Sequence, residues 1–333
     1  MKFEDILSDL KNKIYKPVYF LHGEEEYFID IITDYIARNV LEEADREFNQ
    51  TILYGKDVDA GLIIDTARRY PMMSNYQVVI VKEAQEIRNI DDLSAYIEKP
   101  VESTILVICY KHKTYDQRRL LARSAQKTGV MFRSDRLYDN KIPAWINAQL
   151  KAEGYSITPE AARLLTASLG SDLTKIRMEL TKLILNLKPG ASINEDIIEQ
   201  NIGISKEFNI FELQKAMGAG DIYRTNLIIR HFAANPKANP FVLTITLLYQ
   251  FFVKILIYHA LKEKSKDNSV AAELSVAPYF VRDYRDAARR FTPAKTIDAI
   301  SLLREYDLKF KGWNNASTGE GELLKEMIFK IMH

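Results

Sequence analysis

Cysteine is almost missing from this chain. Cys109, within the apolar run ILVICY, is the only thiol in 333 residues. A single thiol forms no internal disulfide, which suits a reducing compartment. No histidine stands near it in a motif, so it reads as a small buried hydrophobe rather than a nucleophile. The five histidines (His22, His112, His231, His259, His333) show no metal-ligand spacing. Net charge is missing too. Lys+Arg 46 against Asp+Glu 45 leaves +1. Holding a phosphate backbone needs clustered positive charge. The balance argues against a free-standing nucleic-acid binder and leaves room for a local basic face inside an assembly. The opening MKFEDILSDLKNK lacks a signal-peptide apolar core and reads as a short amphipathic helix. One apolar run, Phe241 to Ala260, has the length to span a membrane. It contains Gln250 and Lys254, and a lysine at mid-span costs about 2.5–3.5 kcal/mol. It reads as the buried helix of an all-helical domain, with no membrane partner.

What is present is ordinary for a globular protein: 47% apolar and 27% charged residues. The length allows two or three domains. Up to about residue 135, strand-like runs (Val18–Leu21, Thr51–Tyr54, Gln77–Val81, Thr104–Cys109, Val130–Phe132) alternate with helical patterns (Tyr27–Asn39, Val58–Tyr70, Ile90–Ile97, Asp116–Lys127). Helices of that length between strands mean crossover connections and a mostly parallel sheet. VVIV and ILVIC are continuously apolar, as strands covered on both faces are. After about Tyr138 the strand signal stops and helices follow one another. Thr158-Pro159 and Thr292-Pro293 each pair an N-cap with proline at the first helical position. The expected division is residues 1–139 as an α/β domain, 140–206 as a small helical domain, and 207–333 as a longer helical one, with a boundary near Lys206.

Pro17 to Tyr35 (PVYFLHGEEEYFIDIITDY) has the strand, glycine turn and helix of a phosphate-binding loop. Counted from Gly23 in G-x-x-x-x-G-K-[ST], the second glycine position is Phe28, the lysine position Ile29 and the hydroxyl position Asp30. Glu24, Glu25 and Glu26 would repel a triphosphate. The loop is degenerate, and Phe28 and Ile29 are expected to pack the helix onto the sheet. The third strand ends Val81-Lys82-Glu83, where paired acids for magnesium would stand in an ATPase. Glu83 reads as a solvated strand end. No basic phosphate ligand is visible near Gly23. An ordinary strand–helix turn remains open as the plain reading.

A degenerate phosphate loop before a small helical lid is the layout of the AAA+ ATPases. In detail the chain resembles the delta subunit of the bacterial replicative DNA polymerase clamp loader over its whole length. Four places carry the resemblance. They are Tyr19 to Glu25; Leu169-Gly170-Ser171-Asp172-Leu173 with Ile176, Glu179, Leu180, Lys182 and Leu183; Phe211-Glu212-Leu213 with Ala216, Gly220 and Asp221; and Gly321-Glu322-Leu323-Leu324-Lys325. The resemblance implies a cytoplasmic, nucleoid-associated replisome subunit of a DNA-directed DNA polymerase holoenzyme. It would bind and open the sliding clamp, with no ATPase activity and no cofactor of its own. Its partners would be the clamp (beta), the ATPase subunits gamma/tau, delta-prime and primer–template DNA. The 207–333 domain would join an oligomeric collar.

The family's clamp-contacting wedge lies just before the third strand, as proline or serine and two large apolar residues. Here stand Pro71, Met72 and Met73. Methionine departs from the usual Leu or Phe in type but not in character, and its adaptability suits a binding surface. Independently of the family, Pro71 should end the preceding helix. Two adjacent large apolar side chains at a turn do not both face one interior, and exposed apolar pairs mark contact sites. Their packing as a cap on the domain core is the competing reading.

Two basic stretches are candidates for DNA. Lys111, Lys113, Arg118, Arg119, Arg123 and Lys127 surround one expected helix, either a DNA-facing or a solvated face. Arg282, Tyr284, Arg285, Arg289, Arg290, Lys309, Lys311 and Trp313 mix cations with aromatics, a single-strand signature. Trp313 is read as a loop residue facing DNA, or as a core tryptophan. Two alternatives stay open: an atypical AAA+ nucleotide hydrolase and a stand-alone DNA-binding protein.

Overall fold

Alternation of side chains decides which way each residue of the first strand faces. In β1 (Val18–Gly23), Val18 and Phe20 enter one core, and Tyr19 and Leu21 enter another on the opposite face. The computed structural model describes residues 1–205, 207–264, 266–315 and 317–333. The boundary expected near Lys206 lies outside the described residues. The chain divides into two compact units, Met1–Leu137 and Tyr138–His333.

The first unit runs α1 (Phe3–Lys11), β1, α2 (Glu26–Asn39), α3 (Glu43–Asn49), β2 (Gln50–Tyr54), α4 (Ala60–Ala67), β3 (Gln77–Lys82), α5 (Ser94–Ile97), β4 (Thr104–Lys111), α6 (Leu120–Thr128) and β5 (Val130–Ser134). The sheet order is β2-β3-β4-β1-β5, all parallel. This is the mostly parallel, helix-flanked sheet expected. Ile6 and Leu10 of α1 and Ile29, Ile32 and Ile36 of α2 cover one face. Ile63 and Ala67 of α4, Ile97 of α5, and Leu121 and Ala125 of α6 cover the other. β2 is an edge strand, with Ile52 and Tyr54 exposed.

Local chemistry trims two of the expected helices. Asp59 caps α4 by accepting from the Leu62 N–H at 2.9 Å, and the helix stops at Ala67, short of Pro71. Asp116 accepts from the Arg118 main-chain N–H at 2.9 Å, and that turn delays α6 to Leu120. The short helix α3 was not legible in the periodicity.

The second unit is helical: α7 (Ile142–Ala152), α8 (Pro159–Leu169), α9 (Leu173–Leu185), α10 (Glu195–Ile202), α11 (Ile210–Ala219), α12 (Ile222–Ala234), α13 (Phe241–Ala260), α14 (Asp267–Leu274), α15 (Val281–Arg290), α16 (Pro293–Phe310) and α17 (Glu320–Met332). It also holds one small parallel pair, β6 (Ser156–Ile157) with β7 (Ser192–Ile193), too short to leave a strand signal. Thr158 and Thr292 cap α8 and α16 as expected, each with proline in the first turn. The long apolar run is α13. Phe241, Leu248, Phe252 and Ile255 fill a core against α15 and α16.

Candidate functional site

Gly23 ends β1 with φ +142, and a Cβ there would lie 1.9 Å from the Ser134 carbonyl oxygen. Close approach to β5 therefore explains the glycine without any phosphate. The loop after it is closed on itself. The Glu25 N–H donates to Ser134 O at 3.3 Å, and Ser134 Oγ donates to Glu25 O at 2.6 Å. The Glu25 side chain accepts from the Tyr27 N–H at 3.2 Å, capping α2 where a phosphate would sit in an active loop. Ile29 is fully buried, and the Phe28 ring meets Phe3 of α1 edge-on at 4.8 Å.

The expectation that no cation stands near Gly23 is corrected. Parallel pairing of β1 with β4 sets Lys111 opposite Gly23, a proximity that 88 residues of sequence conceal. The lysine is already engaged: Nζ lies 2.7 Å from Asp30 Oδ1 and 3.5 Å from Glu26 Oε2. Burial pulls its pKa down, but the hydrogen bond and charge of Asp30, with Glu26, carry it above the ordinary lysine value. Glu83 stands just past the end of β3, with its side chain 38% exposed. It is tied to Gln85 and lies 3.6 Å from His112 Nε2, while His112 Nδ1 lies 3.0 Å from Glu26 Oε1. The strand ends are thus closed by the ion pairs of Lys111 and the polar contacts of His112. Among the described residues, no group of His, Cys, Asp and Glu has a metal-binding arrangement. Beneath this network His22 is buried. Its Nδ1 accepts from the Tyr115 N–H at 3.1 Å, and among the described residues its Nε2 has no partner. Burial, then the Arg133 charge, lowers its pKa to about 4.

The second place is the turn between α4 and β3. Met72 is 63% exposed and Met73 fully exposed, so neither caps the core. Met73 has φ +54, in the left-handed region that a non-glycine residue adopts only when its surroundings hold it there. The Met72 main chain is held from both sides by a buried side chain, Asn49. Its Oδ1 accepts from the Met72 N–H at 2.6 Å, and its Nδ2 donates to Met72 O at 3.0 Å. At the far end of the turn, Gln77 Nε2 donates to Thr66 O at 2.7 Å. Sequence reasoning missed Asn49 because nothing local links residues 23 apart. It also missed exposed Phe48, immediately before it.

The basic residues are placed less simply than expected. Lys111 and Lys113 precede α6, and Arg118 and Arg119 lie in the turn before it, so only Arg123 and Lys127 are on the helix itself. Arg118 pairs with Asp116 at 2.9 Å and Arg119 with Asp91 at 2.6 Å. In the second unit Tyr284 is buried, Arg285 pairs with Asp267, and Lys309 pairs with Glu305 at 2.8 Å. Lys311 pairs with Asp307 at 2.6 Å. Trp313 is 57% exposed, not a core residue. Gly312 at φ +92 ends α16, and the Trp313 N–H donates to Leu308 O at 3.0 Å, a Schellman closure.

Residues 19–134 match the family described as DNA polymerase III, delta subunit, and residues 207–329 match its C-terminal domain. A Bacillus subtilis (strain 168) protein named DNA polymerase III subunit delta is 23% identical over 317 residues, 92% of this chain and 91% of that one. A solved Bacillus subtilis DNA clamp loader delta protein superimposes with a TM-score of 0.60, at 23% identity and 99% coverage of both chains. With both ends of the chain matched in order, this protein belongs to the family of DNA polymerase III delta subunits.

Proposed function

We propose that this clamp-loader subunit grips the sliding clamp with Met72 and Met73, beside Pro71, and helps to open it without hydrolysing ATP itself. The supporting observation is an exposed pair of large apolar side chains on a turn whose main chain is fixed before any partner arrives. Such pairs on a soluble surface mark contact sites, and a fixed main chain reduces the ordering cost of binding. Met72→Ala with Met73→Ala should weaken binding to purified clamp by well over tenfold, since a central apolar anchor is worth about 2–4 kcal/mol. Unchanged affinity in the folded double variant would sink the assignment.

The rest of the reading is organised around that grip. Energy comes from ATP on gamma/tau subunits, transmitted by rigid-body movement of the 1–139 domain. The 140–206 segment acts as the lid, and 207–333 joins the collar with delta-prime and the ATPase subunits. Trp313, Lys311, Arg118 and Arg119 face primer–template DNA in the assembly. Each of these cations has an acid partner, so reaching a phosphate exchanges one partner for another. DNA binding by the chain alone is therefore weak, against the stand-alone DNA-binding reading.

The position of Lys111 beside Gly23 gives the nucleotide-hydrolase reading its one point of support. Saturable micromolar binding of labelled ATP by the isolated chain would favour it. We expect none, because Asp30 and Glu26 occupy the lysine.

A further inference from the structure

We propose that Asn49 is the positioning residue of the Met72–Met73 turn, holding both methionines in their presenting geometry before contact. The inference rests on the reading that they grip the clamp. Asn49 is the last residue of α3 and only 3% exposed. Its whole amide is spent on main chain. Oδ1 accepts from the Met72 N–H, while Nδ2 donates to Met72 O and to Asp45 O at 3.1 Å. An amide offers a donor and an acceptor side by side, so it satisfies both main-chain groups of one residue as a neighbouring strand would. Alanine supplies neither group, and aspartate supplies only the acceptor. With Met72 fixed on both sides, Met73 is carried into its left-handed conformation and its side chain stands clear of the surface. A turn left unpinned would lose that conformation and would have to be ordered during binding.

The test uses the full chain and purified clamp, with Asn49→Ala made in the wild-type and in the Met72→Ala/Met73→Ala backgrounds. We expect faster hydrogen exchange at Met72 to Ser74 and clamp affinity about tenfold weaker, from the loss of two part-buried hydrogen bonds. In the double-alanine background the affinity loss should vanish, because positioning matters only through the methionines. An equal loss in both backgrounds, unchanged exchange at Met72, or looser exchange with full affinity would each overturn the proposal. If the double-alanine chain binds like wild type, the grip reading fails instead, and this result is separately readable from the exchange data. Where Asn49→Ala does not fold, Asn49→Asp takes its place, with an intermediate loss expected; full affinity there with faster exchange overturns the proposal equally.

Discussion

Lys111 Nζ lies 2.7 Å from Asp30 Oδ1, joining the end of β4 to the first turns of α2. The acid stands where a nucleotide loop would carry its hydroxyl, and the cation arrives from another strand. The lysine side chain is mostly buried while Asp30 is half exposed, so solvent screens part of the attraction. Removing the cation leaves Asp30 without this partner and Glu26 with His112 alone. Lys111→Met should cost about 1–2 kcal/mol in denaturant unfolding. An unchanged midpoint would show the network to be ornamental to stability.

Gly23→Ala is expected to be far worse. The added methyl meets the main-chain carbonyl oxygen of Ser134 at 1.9 Å, at a φ that alanine avoids. A loss of about 3 kcal/mol or more, or failure to fold, is the expected outcome. A freely tolerated alanine, checked by thermal melting, would return the glycine to a role in ligand binding.

The exposed methionines should behave in the opposite way. Met72→Ala/Met73→Ala should leave the unfolding midpoint within about 0.5 kcal/mol of wild type, since surface changes away from buried features cost little. Loss of clamp affinity without loss of stability is the pattern to look for. A large destabilisation would mean that these side chains pack somewhere after all.

His22 makes stability depend on pH in a defined direction. Its pKa is about 4 in the fold against an ordinary 6.5. Above about pH 6.5 both states hold it neutral and the shift has no effect. As pH falls from there toward 4, the unfolded chain takes a proton that the fold refuses, and stability drops by about 3 kcal/mol before levelling off. Comparing His22→Gln with wild type at pH 7 and pH 4.5 isolates this from the carboxylates. The variant should lose less on acidification, and equal losses would contradict the assignment.

Arg163, on α8, lies with its guanidinium carbon 3.9 Å from the Phe211 ring centre and 4.2 Å from that of Phe280. Lysine keeps the charge but not the flat, weakly hydrated group that fits between two rings. Arg163→Lys should destabilise the helical unit by about 1–2 kcal/mol in chemical denaturation. A neutral outcome would show that charge alone suffices there.

Much of the fold was legible because its signals are local. Each of the five expected strands appears, since VVIV and ILVIC needed only their own composition to announce burial on both faces. The pieces of the helical half that carry the resemblance hold much of its punctuation. Gly170 and Gly220 end helices at positive φ, while Asp172 and Asp221 cap the next ones. Gly321 lies close enough to Ala233 that a Cβ would sit 3.1 Å from that residue's Cβ. Helix ends were less legible wherever a side chain such as Asp116 redirected the backbone. The candidate site was half readable. Pro71-Met72-Met73 stood out as apolar residues at a turn, but its support, Asn49, and the lysine beside Gly23 come from distant segments joined only by sheet register and tertiary contact.

The edge strand β2 carries a cost at the level of supply. Its outer row of peptide groups pairs with no strand among the described residues, and Gln50-Thr51-Ile52-Leu53-Tyr54 contains no charge or proline to discourage another chain from adding on. A cell that makes more of this polypeptide than its assembly consumes therefore risks losing the surplus to strand-on-strand aggregates. Ile52→Lys should raise the concentration at which the purified chain stays monodisperse in light scattering, and no change would mean that the edge is harmless.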